Sequence, residues 1–318
     1  MKKEAGIFIL LTVLCVVTAL INPKFISPVN LANMANLTGM FGIFSLGLGL
    51  IIITGGIDLS AGSLFALTGV LLSLALREWH WPWPVALAGV LTLGMTLGLV
   101  HALFITRVGI QPFIVTLCGL LIYRGLARFV AGDNTRGFGN AEGFEPLRDF
   151  CQARILGVPM PFLLFVAISA VMWVLLHHSV YGRHLLAVGR NEQAARYSGI
   201  RTRLVTGAAY VISGLLAAIS AVLFAFYTNS VSPSNHGNFY ELYGIAAAVL
   251  GGCSLRGGEG SILGIMIGAA LLQVLQNLVN LLGIPSSLNF AVMGAVVLAG
   301  AVSDQLLRGR RKASGPTA

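Results

Sequence analysis

The sequence predicts an all-α, polytopic membrane protein, and three observations support this fold class. Of its 318 residues, 56% are hydrophobic. Only 10% are charged, whereas a soluble globular domain carries about 25%. The apolar residues also lie in uncharged runs of roughly 20 residues, the length of a helix that crosses a hydrocarbon core of about 30 Å. A membrane β-barrel would show short alternating segments instead, so the chain is expected to form a single bundle of helices over residues 1–318.

About ten transmembrane helices are predicted from these runs and from the Pro and Gly residues that separate them. The first, residues 6–22, follows two lysines and resembles a signal peptide. No small-x-small cleavage site follows it, so we interpret it as a retained helix. The other spans are predicted at residues 31–53, 60–76, 84–106, 112–131, 161–178, 204–227, 241–253, 261–283 and 287–304.

The distribution of charge predicts that both termini are cytoplasmic. With ten spans in this orientation, most of the 20 Lys and Arg residues fall on the inner side, as the positive-inside rule requires. They include the arginines of residues 181–203 and the basic tail at residues 305–318. Residues 132–160 then form a periplasmic loop of mixed charge. The net charge of +9 is therefore interpreted as a topology signal, and no nucleic-acid partner is expected.

The basic interruption at residues 181–203 is predicted to contain a short cytoplasmic helix. Asn191 is a good N-cap, Ala194 and Ala195 favour helix, and Gly199 is a typical helix stop. A short basic helix between two membrane spans indicates a surface that another protein holds.

Two glycine-rich breaks resemble each other, residues 55–63 (GGIDLSAGS) and 251–261 (GGCSLRGGEGS). Each follows an apolar span and precedes another, which suggests a duplicated transporter architecture. Asp58 in the first break is compatible with a proton or cation site. An N-cap with a favourable helix-dipole interaction is the preferred interpretation.

Small residues recur at four-residue intervals where helices must approach closely in lipid. Close packing within the bundle is the preferred interpretation, and the alternative is that one such ladder forms a dimer seam. The clearest examples are Gly260 with Gly264 and Gly268, and Gly94 with Gly98.

The sequence contains no recognisable catalytic or metal-binding pattern. No lysine occurs between Lys24 and Lys312, which excludes a P-loop lysine and an ATP site of that kind. The four cysteines show no paired spacing. We therefore expect no enzyme activity and no cofactor or metal in this chain.

The polar groups inside the predicted spans are mostly neutral. Amides and hydroxyls suit a neutral polyhydroxylated solute, although each could equally form an interhelical hydrogen bond. The residues proposed to line a pathway are Asn33, Asn36, Thr38, Thr116, Asn277 and Asn280, with Gln273 and Gln276 in the same span as the last two. An ion-coupled carrier normally needs intramembrane acids, and only Arg124, Asp58 and Glu241 carry charge in or near a span. An ATPase bound to the cytoplasmic helix is therefore the favoured energy source.

Three motifs resemble the permease subunit of the ribose/xylose/galactoside type of bacterial sugar ABC importer, within the branched-chain amino-acid permease superfamily. They are residues 55–63, residues 189–200 (GRNEQAARYSGI) and residues 250–261 (LGGCSLRGGEGS). Their order and spacing match over nearly the whole chain. The motif residues in the two breaks are Gly55, Gly56, Asp58, Ser60, Gly62, Gly251, Gly252, Gly257, Gly258 and Gly260.

The resemblance implies a partnership that composition alone does not show. Two permease subunits, identical or homologous, would sit on two ATP-binding subunits that bind ATP-Mg. A periplasmic binding protein would deliver a pentose or hexose to the permease in the bacterial inner membrane. The residues implied to couple to the ATPase are Gly189, Asn191, Ala194, Ala195, Ser198 and Gly199. Two alternative classes of protein stay open. The first is a self-contained secondary carrier or facilitator, and the second is a membrane-embedded transferase.

Overall fold

The structure, a computed structural model, describes residues 2–139 and 142–285 together with residues 288, 291, 292, 294, 295 and 298. The α-helices of this part are α1 Lys2–Ile21, α2 Pro28–Ile53, α3 Ala61–Arg77, α4 Trp83–Leu103, α5 Pro112–Ala131, α6 Glu145–Gln152, α7 Met160–Trp173, α8 Val180–Arg190, α9 Glu192–Tyr197, α10 Thr202–Thr228, α11 Tyr240–Leu250 and α12 Ile262–Leu281. A 3₁₀ turn, Pro23–Ile26, precedes α2, and α4 and α7 end in the π-helical turns Phe104–Val108 and Val174–His178.

Seven helices in the described residues are long and apolar enough to cross a membrane, namely α1, α2, α5, α10 and α12, and α4 and α7 each together with its π-helical turn. The predicted spans at 60–76 and 241–253 correspond to α3 and α11, which are apolar but shorter. Most of the predicted tenth span, residues 287–304, and the whole basic tail, 305–318, lie outside the described residues. The all-α, polytopic fold is therefore confirmed, while the count of ten and the orientation of the termini stay predictions.

Helix α2 begins at Pro28, three residues before the predicted span. The hydroxyl of Ser27 accepts a hydrogen bond from the backbone amide of Asn30 at 3.3 Å. Proline suits the first position of a helix because it lacks an amide hydrogen. The polar Asn30 therefore belongs to the helix and not to the preceding loop, while Asn33 lies in the helix as predicted.

The centre of the bundle is formed by α2 and α10, the two most buried of the long helices. Helix α10 packs against α4, α2 and α3, and the Ser220 hydroxyl donates to the Met40 carbonyl at 2.7 Å. Gly94 of α4 meets the backbone of Gly214 in α10, so neither residue has room for a Cβ atom.

The glycine ladders make contacts within this one chain. Gly98 meets the backbone of Tyr210, while Gly264 and Gly268 of α12 lie against α11 and the glycine that follows it. Missing side chains let helix backbones approach closely in a membrane. These contacts account for the ladders by packing within the bundle.

The outer loop predicted at 132–160 contains regular structure. It includes α6 and three strands, β1 Arg136–Gly137, β2 Arg154–Ile155 and β3 Val158–Pro159. Strand β1 pairs antiparallel with β4, Ser230–Val231, beyond α10. Strands β2 and β3 form a hairpin whose tip residue, Leu156, is fully exposed.

The two short apolar helices, α3 and α11, begin beside each other inside the bundle. Residues 54–60 and 232–239 lead to them without forming an α-helix. A Cβ atom on Gly62 would overlap the Glu241 carboxylate and the Gly237 carbonyl. Both helices are short because an irregular segment precedes each of them, an arrangement found in transporters.

Candidate transport cavity and coupling site

A cavity lies between α2, α10, α11 and α12. It has a volume of about 220 Å³ and is partly open to solvent. Its walls combine amide side chains with aromatic rings. The polar and aromatic lining residues are Asn33, Phe41, Ser45, Phe224, Tyr227, Tyr240, Tyr243, Gln273, Gln276, Asn277 and Asn280.

Four of the amides occupy one face of α12. Gln273, Gln276, Asn277 and Asn280 are spaced at i, i+3, i+4 and i+7, which places them side by side along a helix. Asn277 is occupied, because it exchanges two hydrogen bonds with Asn30 of α2 at 3.1 and 2.7 Å. The other three amides make no hydrogen bond within the described residues and are available to a solute.

The aromatic wall stands on α2, α10 and α11. The rings of Phe41 and Tyr240 meet edge to face at 4.7 Å between centroids, and Phe224 and Tyr240 do so at 5.6 Å. Such contacts fix the orientation of the rings. Sequence analysis missed this wall, because aromatic residues in apolar helices carry no signal that separates a cavity lining from ordinary packing.

The residues proposed to line a pathway occupy several environments. Asn33, Asn277 and Asn280 line the cavity, whereas Asn36, Thr38 and Thr116 are not among its lining residues. Thr116 is fully buried. Its hydroxyl lies 2.9 Å from the Pro112 carbonyl and 3.2 Å from the Ile57 carbonyl.

A second polar group lies buried between α3, α4 and α5. Asp58 accepts hydrogen bonds from the Ser60 hydroxyl at 2.6 Å and from the Ser60 amide at 2.8 Å. His101 lies 3.5 Å from the Ser60 hydroxyl through Nδ1, and 2.9 Å from the Tyr123 hydroxyl through Nε2. All four side chains are nearly inaccessible to solvent.

The donors in this group run in one direction. The single hydroxyl hydrogen of Ser60 is given to Asp58, so the contact with His101 requires a hydrogen on Nδ1. Nε2 of a neutral imidazole then accepts from Tyr123. The chain of donors ends at the Asp58 carboxylate, which is how a buried charge is satisfied.

The predicted N-cap at Asp58 is wrong. Helix α3 begins at Ala61, and its N-cap residue is Ser60. Asp58 lies two residues earlier and folds back onto Ser60, as aspartate does in a turn. The non-helical break is longer than predicted because Gly55 adopts a positive φ of 84° and the following residues bury their polar groups against α4 and α5.

Arg124 connects the starts of the two short helices, α3 and α11, through hydrogen bonds. Its guanidinium donates to the carbonyls of His236 at 2.8 Å, Pro233 at 3.0 Å and Gly62 at 3.4 Å. Sequence analysis identified Arg124 only as a charged residue inside a predicted span. Its partners lie more than 60 residues away in the chain, so spacing could not identify them.

Asp58 and Glu241, expected near span ends, are both buried. Asp58 is bonded to Ser60, and Glu241 lies near the positive charge of Arg124. Intramembrane acids are therefore present, but each interacts with another group of the protein, Asp58 with Ser60 and Glu241 with Arg124. No group of three or more His, Cys, Asp or Glu side chains among the described residues is placed to hold a metal ion.

The short helix predicted within residues 181–203 is present as α9, separated from α8 by Asn191. The Asn191 side chain accepts a hydrogen bond from the Ala194 amide at 2.9 Å, and Gly199 follows the helix with a φ of 83°. The Ser198 hydroxyl donates to the Ala194 carbonyl at 3.0 Å. Only Ala195 of this helix is buried, so the rest of its surface is free for contact.

The three sequence motifs meet where α8 ends. Gly55, Gly189, Gly257 and Gly258, here called the glycine junction, touch through their backbones. The Gly258 amide donates to the Ile53 carbonyl at 2.8 Å. A Cβ atom on Gly257 would lie 2.6 Å from the Gly189 carbonyl oxygen and 2.9 Å from the Gly55 nitrogen.

Other motif glycines are required by close contacts or by a turn. Gly260 leaves no space for a Cβ beside Ile53 and Cys253, and Gly251 lies against the backbone of Gly264. Gly56 faces the Tyr210 hydroxyl, where a Cβ would approach to 2.7 Å. Gly252 has open space around it and a φ of 93°, so a turn requires it.

Comparison with known proteins identifies the family. The family described as "Branched-chain amino acid transport system / permease component" matches residues 30–301. The chain belongs to this family. The resemblance to importer permeases seen in the sequence motifs is thereby confirmed, and the protein is a multi-pass membrane permease.

Several relatives are similar along nearly their whole length. The ribose import permease protein of Escherichia coli strain K12 is 37% identical over 95% of this chain and 93% of its own. That of Bacillus subtilis strain 168 is 35% identical over the same shares. The autoinducer 2 import system permease protein of Enterobacter sp. strain 638 is 33% identical over 93% and 90%. Membership of this permease family favours the importer subunit over the self-contained carrier.

Proposed function

We propose that this chain is the transmembrane permease subunit of an ATP-binding-cassette importer that moves a monosaccharide across the bacterial inner membrane. The observation that carries the proposal is the cavity, in which the free amides of α12 face aromatic rings of α2, α10 and α11. Amides donate and accept hydrogen bonds, and aromatic rings offer apolar faces to a sugar ring. A pentose or hexose presents hydroxyl groups and an apolar face that match both walls.

Charge selectivity supports the same substrate class. Among the described residues that line the cavity, none carries a formal charge. A charged amino acid would leave its ammonium and carboxylate without counter-charges there, which is costly in a low-dielectric site. A neutral polyol avoids this cost.

The energy source in this proposal is ATP-Mg hydrolysed on partner subunits. Helix α9 is the docking element, because Asn191, Glu192, Ala194 and Tyr197 are exposed around one short helix. Tyr197 is 91% exposed, which is unusual for an aromatic side chain and suits an anchor in a partner's groove. The proposed coupling residues are Gly189, Asn191, Ala194, Ala195, Ser198 and Gly199.

The proposed assembly contains two ATP-binding subunits and two permease subunits, either two copies of this chain or one copy with a homologous permease. A periplasmic sugar-binding protein delivers the substrate. In the proposed orientation α9 faces the cytoplasm, both termini lie on that side and ten helices cross the membrane. The cavity then lies in the periplasmic half of the bundle, because it contacts the start of α2 and the ends of α10 and α12.

Reconstitution tests this proposal. The permease would be combined in liposomes with its ATP-binding partners and its delivery protein, and uptake of radiolabelled ribose and other monosaccharides would be measured. We expect uptake that requires ATP and the delivery protein. Uptake by the permease alone, driven by a proton or sodium gradient without ATP, would refute the proposal and support the carrier.

A further inference from the structure

The glycine junction links the coupling segment to the cavity helices without any intervening side chain. Gly189 is in the last turn of α8, two residues before the Asn191 cap of α9. A Cβ atom there would overlap the Ile53 carbonyl and the Gly258 amide. Ile53 is the last residue of α2, and Gly257 and Gly258 lie between α11 and α12.

We infer that the glycine junction transmits the movement of α9 to the walls of the cavity, and that its glycines are positioning residues for transport. This inference rests on the proposed function. Three of the four cavity helices, α2, α11 and α12, have an end or a connecting segment at the junction. The fourth, α10, begins at Thr202, five residues after α9 ends.

Backbone contact makes this link stiff. A side chain between two helices can change rotamer and absorb a displacement, whereas contacting backbones can only move together or separate. The hydrogen bond from the Gly258 amide to the Ile53 carbonyl adds a direct connection at 2.8 Å. A displacement at Gly189 is therefore delivered to the end of α2 and to the segment before α12.

The backbone conformation reserves these positions for glycine. Gly257 and Gly258 have φ values of 82° and 74°, a region that L side chains rarely adopt. The aliphatic stem of Arg190 covers Gly258, where a Cβ atom would overlap the Arg190 Cγ atom. Arg190 is exposed to solvent at its other end, so it closes the junction on the cytoplasmic side of the proposed orientation.

The chain provides a matched control for a steric test. Gly214 of α10 contacts Gly94 of α4 in the same way, because a Cβ atom there would overlap a backbone carbonyl. Gly214→Ala therefore introduces the same methyl group into a similar backbone contact, but that contact does not include the coupling segment. Gly189→Ala and Gly214→Ala should lower thermal stability to a comparable extent.

The experiment measures sugar uptake and ATP hydrolysis in the same preparation of the complete importer in liposomes. With Gly189→Ala, we expect the complex to assemble and hydrolyse ATP, while uptake per ATP falls about tenfold, within the range of coupling between linked sites. With Gly214→Ala, uptake per ATP should stay at the wild-type value. Equal ratios for both variants would overturn the inference.

A second variant covers the case in which Gly189→Ala does not fold. Arg190→Ala removes the stem that covers Gly258 without introducing any overlap, and uptake per ATP should fall about fivefold. An unchanged ratio in a folded Arg190→Ala importer would also overturn the inference. The wild-type importer separates the two proposals, because absence of ATP-dependent sugar uptake in wild type contradicts the proposed function and not the role of the junction.

Discussion

The buried series of hydrogen bonds from Tyr123 to Asp58 can be tested one hydrogen bond at a time. Tyr123→Phe removes the donor to His101 Nε2 and leaves a buried acceptor without that partner. We expect a loss of about 1 kcal/mol in the free energy of unfolding, since membrane hydrogen bonds contribute roughly this amount. The measurement is thermal or denaturant unfolding of the detergent-solubilised protein.

Tyr197→Phe is the matched control for that measurement. It deletes the same hydroxyl from a side chain that is 91% exposed, so unfolding should be unchanged. A loss of similar size in both variants would contradict a stabilising hydrogen bond between Tyr123 and His101.

The free amides of α12 give a second prediction at the scale of one residue. Gln276→Leu removes donors and an acceptor from the cavity and should reduce sugar uptake about fivefold, equivalent to one hydrogen bond of about 1 kcal/mol. Gln111→Leu is the control, because Gln111 is exposed just before α5 and lies away from the cavity. Equal uptake in the two variants would argue against solute contact with α12.

The sequence could predict part of this site but not its composition. Asn33, Asn277 and Asn280 were found because amides are rare in apolar spans. Thr38 and Thr116 are also polar residues in apolar spans, yet they are buried and do not line the cavity, since polarity does not reveal which side of a helix faces a cavity. The aromatic wall depends on how α2, α10 and α11 meet, and that information is tertiary.

At the scale of elements, α9 offers a direct test of coupling. Ala194 is exposed on this helix, so Ala194→Trp should leave the bundle intact while it blocks contact with the ATPase. We expect sugar-stimulated ATP turnover to fall at least about tenfold, as for the loss of an interface hot spot. The measurement is ATP turnover of the reconstituted importer with and without loaded delivery protein.

Arg183→Trp on α8 is the control, because that side chain is also exposed but lies outside α9. Normal turnover with Ala194→Trp would contradict the docking role of α9. Ala195 is less suitable for the test, since it is buried and a bulky residue there would overpack the bundle at a cost of about 1–3 kcal/mol. Gly199 is unsuitable too, because its positive φ makes any substitution strained.

Helix α9 was predicted almost to the residue, because Asn191 and Gly199 are local signals for its start and end. The break before α3 was predicted only as glycine-rich sequence, and the segment before α11 only as the connection between two predicted spans. Their course depends on Arg124, which donates to the Pro233 and His236 carbonyls before α11 and to the Gly62 carbonyl in the first turn of α3, and no local pattern encodes such a contact. The same limit explains the regular structure of the 132–160 loop, where β1 pairs with a strand nearly 100 residues away.

At the scale of the whole molecule, cysteine labelling tests the proposed orientation. Leu156→Cys, at the fully exposed hairpin tip, should react with a membrane-impermeant maleimide on intact spheroplasts. Tyr197→Cys should react only after permeabilisation. The opposite pattern would reverse the topology.

The native thiols suit this experiment. Burial raises the pKa of the Cys151 thiol to about 12, so little of the reactive thiolate forms at neutral pH. Cys253 is also buried, and Cys15 and Cys118 lie on membrane-spanning helices. The unsubstituted protein should therefore give little labelling, and this is the baseline measurement.

The placement of the glycine junction sets natural boundaries for exchanging partner specificity between permeases. The two residues of α8 that contact the other junction glycines, Gly189 and Arg190, precede Asn191, and the exposed residues of α9 lie between Asn191 and Gly199. A graft of those nine positions from another permease would carry a foreign docking surface while it kept the host's own transmission contacts. A graft that began earlier, at Gly189, would instead have to match the host's α2 and the segment before α12.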